Sequence, residues 1–84
     1  MREITVEELF ELTRERAGEP EERELNADVL DVVFEHLGYD SVALLEVLSE
    51  IRHRYGIELA DEAMSRGRTP REVLEAVNGV IRDR

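Results

Sequence analysis

The chain has 84 residues, of which 42% are hydrophobic and 38% charged, which suits one small domain and leaves too few residues for a second core. Its net charge of −10 argues against binding to nucleic acids or anionic membranes and favours partners with basic surfaces. The lack of cysteine excludes disulfides and thiolate metal sites, and no apolar run reaches the roughly 20 residues of a membrane-spanning helix.

The first predicted helix begins after Thr5. Thr5 and Glu8 form a capping-box pattern, in which the threonine side chain caps the helix and the glutamate reaches back. Gly18 ends the helix, and Pro20 prevents it from resuming easily. Its apolar stripe follows spacings of three and four and consists of Val6, Leu9, Phe10, Thr13 and Ala17.

Residues 19–39 form a long connection to the next helix. The segment holds too many apolar residues for a free linker, yet they follow no long periodic pattern. We predict a loop that is pinned to the core, with one short helical turn near Ala27–Val32. Loops of this length in a small domain are commonly functional.

Two further main helices follow this loop. The second opens at Asp40 and Ser41, ends at Gly56 and carries an apolar stripe of Leu44, Leu45, Leu48, Ile51 and Tyr55. A short helix is predicted over 61–65. The third main helix has a cap at Thr69, a proline at its first position and Glu72 to complete a capping box. Gly79 either ends this helix or lies within it, and the pattern leaves both open.

The predicted fold is therefore all-α. It is a single domain over residues 1–84, a small bundle of three main helices plus one short helix, with a long loop between the first two main helices. The N-terminal residues lack the features of a signal peptide, so we expect a cytoplasmic protein.

No arrangement of side chains in the sequence points to catalysis. His36 and His53 lie far apart and outside any metal-binding spacing, and the sequence has no glycine-rich phosphate loop. The numerous carboxylates are distributed as solvated helix faces. We expect a protein that is not an enzyme and that holds no metal.

Ser41 has a structural and a functional interpretation. Aspartate and serine are both common N-caps, but one cap suffices, so either Asp40 or Ser41 is left without a structural task. The predicted helix turns Leu45 inward and Val42 outward. An exposed Val42 beside Ser41, flanked by the charges of Asp40 and Glu46, is a candidate docking contact for a partner protein.

The residues around Ser41 also match a known motif. The segment 37–46, Leu-Gly-Tyr-Asp-Ser-Val-Ala-Leu-Leu-Glu, closely resembles the modification motif of acyl carrier proteins, whose core is Asp-Ser-Leu. The tyrosine and the Ala-Leu-Leu-Glu run resemble the carriers of bacterial aromatic (type II) polyketide synthases. Similarity to the same carriers continues at 17–18, 55–57, 69–72 and 77–79, and so extends over nearly the whole chain.

This resemblance implies a role for Ser41 and for its neighbours. A phosphopantetheinyl transferase would attach 4′-phosphopantetheine from coenzyme A to Ser41, and the arm would carry malonyl and growing polyketide chains as thioesters. The implied partners are a ketosynthase, a malonyl acyltransferase and ketoreductase or cyclase tailoring enzymes. Asp40, Val42 and Glu46 occupy the family's docking positions. We expect a monomer.

Two features depart from the family pattern. Valine stands at position 42, where leucine usually follows the serine, and Arg52-His53-Arg54 replaces a stretch that is often acidic. The alternatives are a fatty-acid or specialised acyl carrier and, in another class, a non-covalent helical interaction module in which Ser41 only caps a helix.

Leu45 and Asn78 are candidates for an acyl-chain cleft. Asn78 follows Leu74 by four residues and lies close to the apolar stripe of the last helix, where a polar group needs a partner. That partner is either backbone, in a structural hydrogen bond or a helix C-cap, or a polar polyketide-like chain held between helices. Arg71 is open to the same two interpretations, and we expect it at the surface.

Overall fold

The computed structural model describes residues 2–20 and 23–83. Three α-helices form the bundle: α1 (Val6–Ala17), α2 (Ser41–Tyr55) and α3 (Pro70–Arg82). The connections in the described part of the chain contain three 3₁₀ helices, at Ala27–Val29, Phe34–Leu37 and Asp61–Met64. The predicted all-α bundle with a long α1–α2 connection is confirmed, although the connection holds two short 3₁₀ helices where one turn was predicted.

Each α-helix begins at a side-chain cap that the sequence indicated. Thr5, Asp40 and Thr69 each accept a hydrogen bond from the backbone N–H three residues further on. The predicted capping box is complete at Thr69, where the Glu72 carboxylate accepts from the Thr69 N–H at 2.9 Å. At Thr5 the predicted box is incomplete, because the Glu8 carboxylate contacts the Thr5 and Tyr55 hydroxyls and the Arg2 guanidinium.

Two of the three α-helices end directly before a glycine: α1 before Gly18 and α2 before Gly56. Gly56 takes the left-handed conformation after α2, with φ of 59°, which other residues adopt only at a cost. α3 continues through Gly79 to Arg82, which answers the question that the sequence left open. Among the described residues, no helix is long and apolar enough to cross a membrane.

The α1–α2 connection is bound to the core by apolar side chains and by backbone hydrogen bonds. The N–H groups of Phe34 and Glu35 donate to the carbonyls of Arg68 and Arg66, each at 3.0 Å. Leu25, Val29, Phe34 and Leu37 are all buried. The predicted pinned loop is confirmed, and its hydrogen bonds also fix the segment that follows the third 3₁₀ helix.

A network of ion pairs joins α1 to α2. Glu50 accepts from Arg54 at 2.8 Å and from Arg16 at 2.7 Å, and Arg54 also reaches Glu15 at 3.4 Å. The hydrogen bond from Arg54, together with the charge of Arg16, lowers the pKa of Glu50 below its ordinary value. These contacts leave only 15% of the Glu50 side chain exposed.

Candidate functional site

Ser41 is the first residue of α2, and it is not the residue that caps the helix. The cap is Asp40, whose Oδ1 accepts from the Ala43 N–H at 2.8 Å. Ser41 is exposed, and its hydroxyl makes no hydrogen bond to any described residue. One of the two residues that the sequence offered as a cap is therefore left with an accessible hydroxyl and no structural task.

Tyr39 anchors the segment before Ser41 to the core. The Tyr39 ring is buried and meets the Phe34 ring edge-on at a centroid distance of 6.0 Å, and its hydroxyl donates to the Gly18 carbonyl at 2.7 Å. Burial, reinforced by the Glu19 carboxylate, raises the pKa of Tyr39 to about 12, so the hydroxyl remains a donor at neutral pH. Gly38 supplies the left-handed turn, with φ of 91°, that brings the chain from the loop to α2.

The start of α2 is electrostatically suited to a phosphate on Ser41. Asp40 satisfies the N–H groups of Ala43 and Leu44, whereas those of Ser41 and Val42 make no hydrogen bond to the described residues. Such free N–H groups and the positive end of the helix dipole stabilise a nearby negative charge by about 0.3–1 kcal/mol. A phosphodiester bonded to the Ser41 hydroxyl would lie next to them.

A cavity of about 210 Å³ opens beside the Ser41 hydroxyl. The third 3₁₀ helix, which packs between α2 and α3, forms the wall opposite α2. Met64 is buried, whereas Asp61 and Glu62 are exposed. We call this space the Ser41 cavity, and its lining residues are Ser41, Leu45, Asp61, Glu62, Met64 and Ser65.

The predicted inward orientation of Leu45 is wrong. Leu45 is 39% exposed and lines the Ser41 cavity, while Val47, which the predicted stripe omitted, is fully buried. The reason is geometric, because successive residues in an α-helix are separated by about 100° around its axis. The buried stripe is centred on Leu44 and Leu48, and Leu45 lies at its edge. Leu45 therefore lies where the predicted cleft residue would be, and its contact with an acyl chain stays a prediction.

The residues predicted for partner docking form one exposed surface. Val42 is 70% exposed, and Asp40 and Glu46 are exposed on either side of it. Val42 and Leu45 are the large hydrophobic residues that the described surface leaves uncovered, and both lie within five residues of Ser41. Two uncovered apolar side chains therefore lie close to the accessible Ser41 hydroxyl, and a role for them in docking stays a prediction.

Asn78 does not reach the Ser41 cavity. Its Oδ1 accepts from the Ile4 N–H at 2.8 Å and its Nδ2 donates to the Ile4 carbonyl at 3.1 Å, and the residue is buried. The pairing fastens the N-terminal segment to α3. Of the two interpretations that the sequence left open, the structural hydrogen bond is the one found, and the candidate placement of Asn78 in the cleft is corrected.

Arg71 lies at the surface, as predicted. Its guanidinium makes a two-point contact with Asp31, with Nε to Oδ1 at 2.7 Å and Nη2 to Oδ2 at 3.2 Å. The Arg71 N–H donates to the Leu30 carbonyl, so the residue links α3 to the α1–α2 connection.

Sequence reasoning missed the second wall of the site. Asp61, Glu62, Met64 and Ser65 were predicted as a short helix and not as neighbours of Ser41, which lies twenty or more positions away in sequence. The usable signal was Met64, the one large apolar residue of this short helix, whose burial requires a packing partner.

The cap assignment gives a stability prediction. Asp40→Ala removes the acceptor of the Ala43 N–H and should lower the free energy of unfolding by about 1 kcal/mol. Asp40→Asn keeps an oxygen acceptor but removes the charge. It should retain most of that stability, while binding to any partner that recognises the carboxylate should become weaker. Chemical denaturation followed by circular dichroism measures both. An Asp40→Ala variant as stable as the wild type would show that another group caps α2.

Comparisons with known proteins identify the family of this chain. The family described as the phosphopantetheine attachment site matches residues 7–77. The oxytetracycline polyketide synthase acyl carrier protein of Streptomyces rimosus is 45% identical over 78 residues, which cover 93% of this chain and 82% of the relative.

Solved structures of the actinorhodin acyl carrier protein from S. coelicolor share the fold. The holo form superposes with a TM-score of 0.81 at 38% identity, covering 98% of this chain and 95% of that one. The form carrying 3,5-dioxohexyl, a triketide mimic, gives 0.82 with the same identity and coverage. This chain therefore belongs to the phosphopantetheine-bearing acyl carrier proteins, which are carriers rather than enzymes, and within them to the group of the type II polyketide synthases.

Proposed function

We propose that Ser41 carries the 4′-phosphopantetheine arm and that the protein thereby presents malonyl units and growing polyketide chains to the enzymes of a type II polyketide synthase. The observation that supports this most directly is the exposed Ser41 hydroxyl at the first position of α2, which no described residue engages. When bound, the phosphopantetheine supplies a thiol on a flexible arm, on which acyl chains are held as thioesters.

The residues at the site fit the attachment of this group. In the transfer, a bond forms between the Ser41 oxygen and a phosphorus of coenzyme A, the pyrophosphate bond breaks, and adenosine 3′,5′-bisphosphate leaves. The hydroxyl proton goes to a base of the transferase, because Ser41 has no hydrogen-bond acceptor among the described residues. The N–H groups at the start of α2 favour the phosphodiester that results.

The Ser41 cavity fits part of the cargo. Its volume of about 210 Å³ is below the 300–1,000 Å³ of pockets that enclose drug-sized ligands. Leu45 and Met64 offer apolar contact to a folded-back acyl chain, and the open side leaves the thioester accessible. We infer that the cavity shelters a short stretch of the acyl chain and that the remainder stays outside.

The exposed surface around Ser41 fits partners with a basic rim and an apolar centre. Acyl carrier proteins of polyketide synthases interact with synthase enzymes in general. For this chain we propose a phosphopantetheinyl transferase, a ketosynthase, a malonyl acyltransferase and ketoreductase or cyclase enzymes, acting in the cytoplasm. Val42 would fill the apolar centre of such an interface, while Asp40 and Glu46 meet cations that steer the encounter.

Intact-mass spectrometry tests the proposal. Incubation with coenzyme A, magnesium and a broad-specificity phosphopantetheinyl transferase should add one phosphopantetheine, and a malonyl acyltransferase should then add one malonyl group. A minimal type II polyketide synthase supplied with this protein as its sole carrier should release polyketide. Absence of the first mass gain would refute the attachment. Activity only with a fatty-acid synthase would refute the polyketide assignment and leave the attachment standing.

A further inference from the structure

Arg52 joins α2 to the wall of the Ser41 cavity. Its guanidinium Nη2 donates to the Leu59 carbonyl and to Asp61 Oδ1, the latter at 2.9 Å. Asp61 is the first residue of the third 3₁₀ helix and itself lines the cavity. The Arg52 side chain therefore contacts both the first residue of this wall, Asp61, and Leu59, which lies two residues before it.

The two ends of the wall are held by different kinds of contact. At the C-terminal end, the Arg68 N–H donates to the Ser65 carbonyl, and the α1–α2 connection bonds to the carbonyls of Arg66 and Arg68. These are backbone bonds, which side-chain changes leave in place. The N-terminal end has no side-chain cap on its 3₁₀ helix, and Arg52 contacts it from outside.

We propose that Arg52 is a positioning residue that sets the distance between α2 and the Asp61–Met64 wall, and so determines how far the Ser41 cavity covers the bound acyl chain. Without the guanidinium, the wall keeps its anchor at Met64 and the Arg66–Arg68 segment, and its N-terminal end moves away from α2. The inference rests on the proposed function of Ser41.

The size of the cavity makes it sensitive to this distance. A space of about 210 Å³ corresponds to roughly seven water molecules at 30 Å³ each, so a small outward shift of one wall changes a large fraction of it.

The test compares two matched arginine variants carrying a short fluorinated acyl chain on the phosphopantetheine. Arg52→Met keeps an apolar stem and removes the donors; Arg54→Met makes the same change two residues further along α2, where the ion pairs go to Glu50 and Glu15. In Arg52→Met the ¹⁹F resonance should move towards its value in water. Thioester hydrolysis should accelerate by up to about fivefold, which corresponds to the loss of a partly exposed ion pair.

A second pair keeps the proposal testable if Arg52→Met does not fold. Asp61→Ala removes the carboxylate that contacts Arg52, and Glu58→Ala removes an exposed carboxylate three residues earlier that does not line the cavity. Asp61→Ala should shift the ¹⁹F resonance in the same direction as Arg52→Met, and Glu58→Ala should leave it in place.

The outcomes separate this inference from the proposed function. Equal shifts and hydrolysis rates within either matched pair, or a wild-type shift in Arg52→Met, would overturn the role of Arg52 while Ser41 still carries its arm. Failure of the wild type to acquire phosphopantetheine, seen first by mass, would instead overturn the proposed function.

Discussion

Ser41→Ala should abolish covalent loading completely and leave the fold unchanged. The hydroxyl oxygen is the only atom of this side chain that can bond to phosphorus, and the transferase cannot act on the methyl group of alanine. Stability should change by less than about 0.5 kcal/mol, because Asp40, not Ser41, supplies the cap and the Ser41 hydroxyl bonds to no described residue. Intact mass after incubation with transferase, together with chemical denaturation, measures both quantities.

The chain contains two other serines that serve as controls. Ser65 lines the same cavity and Ser49 lies exposed on the same helix, so each shares one feature of the Ser41 environment. Ser65→Ala and Ser49→Ala should both load like the wild type. A full mass gain on Ser41→Ala, or its loss on Ser65→Ala, would contradict the assignment of Ser41.

This variant also separates a carrier from a non-covalent helical module. If Ser41 were an ordinary cap, its replacement by alanine would cost about 1 kcal/mol and leave function intact. The geometry assigns the cap to Asp40, so the carrier interpretation expects the reverse: full loss of function without loss of stability. Loading and stability, measured on the same Ser41→Ala variant, therefore distinguish the carrier from the non-covalent module.

Helix starts were predictable because their signals are local. Thr5, Asp40 and Thr69 act through N–H groups only three residues away, so a short stretch of sequence contains the whole interaction. The same locality explains the error at Glu8. Its carboxylate reaches Tyr55, 47 positions further on, and this tertiary partner competes with the local capping box.

The orientation of α2 could not be fixed from its pattern alone. Apolar residues occur on several sides of this helix, so a stripe through Leu45 fits the sequence nearly as well as one through Val47. Burial depends on what packs against each side. The third 3₁₀ helix covers Leu45 only in part and leaves a cavity there, whereas Val47 is completely covered.

Contacts between distant segments lie outside what one sequence reveals. Asn78 pairs with Ile4 across 74 positions, and nothing in either neighbourhood identifies the other residue as its partner. Ser41 itself was predictable because its motif is contiguous. The opposite wall of its cavity follows α2 after a separate turn, so its proximity to Ser41 emerges only when the helices pack.

Phe34→Ala should be the most destabilising single change in the α1–α2 connection. Phe34 is completely buried, its ring packs edge-on against Tyr39, and its N–H fastens the connection to Arg68. Truncating a buried phenylalanine costs about 3–5 kcal/mol, which is comparable with the total stability of roughly 4–13 kcal/mol for a domain of this size. The variant should be partly unfolded at ambient temperature, with a large drop in the denaturation midpoint followed by circular dichroism.

Two controls isolate the buried ring as the cause. Phe34→Leu keeps part of the apolar volume and should lose clearly less stability than Phe34→Ala. Glu35→Ala changes the exposed neighbour, whose 3.9 Å ion pair with Arg66 is solvated, and should lose at most about 0.5 kcal/mol. The Tyr39 ring packs on Phe34 and anchors the segment that leads to Ser41. Modification of Phe34→Ala by the transferase should therefore become slower as the folded fraction of the protein falls. Wild-type stability in Phe34→Ala would show that the buried Phe34 ring does not hold the α1–α2 connection to the core.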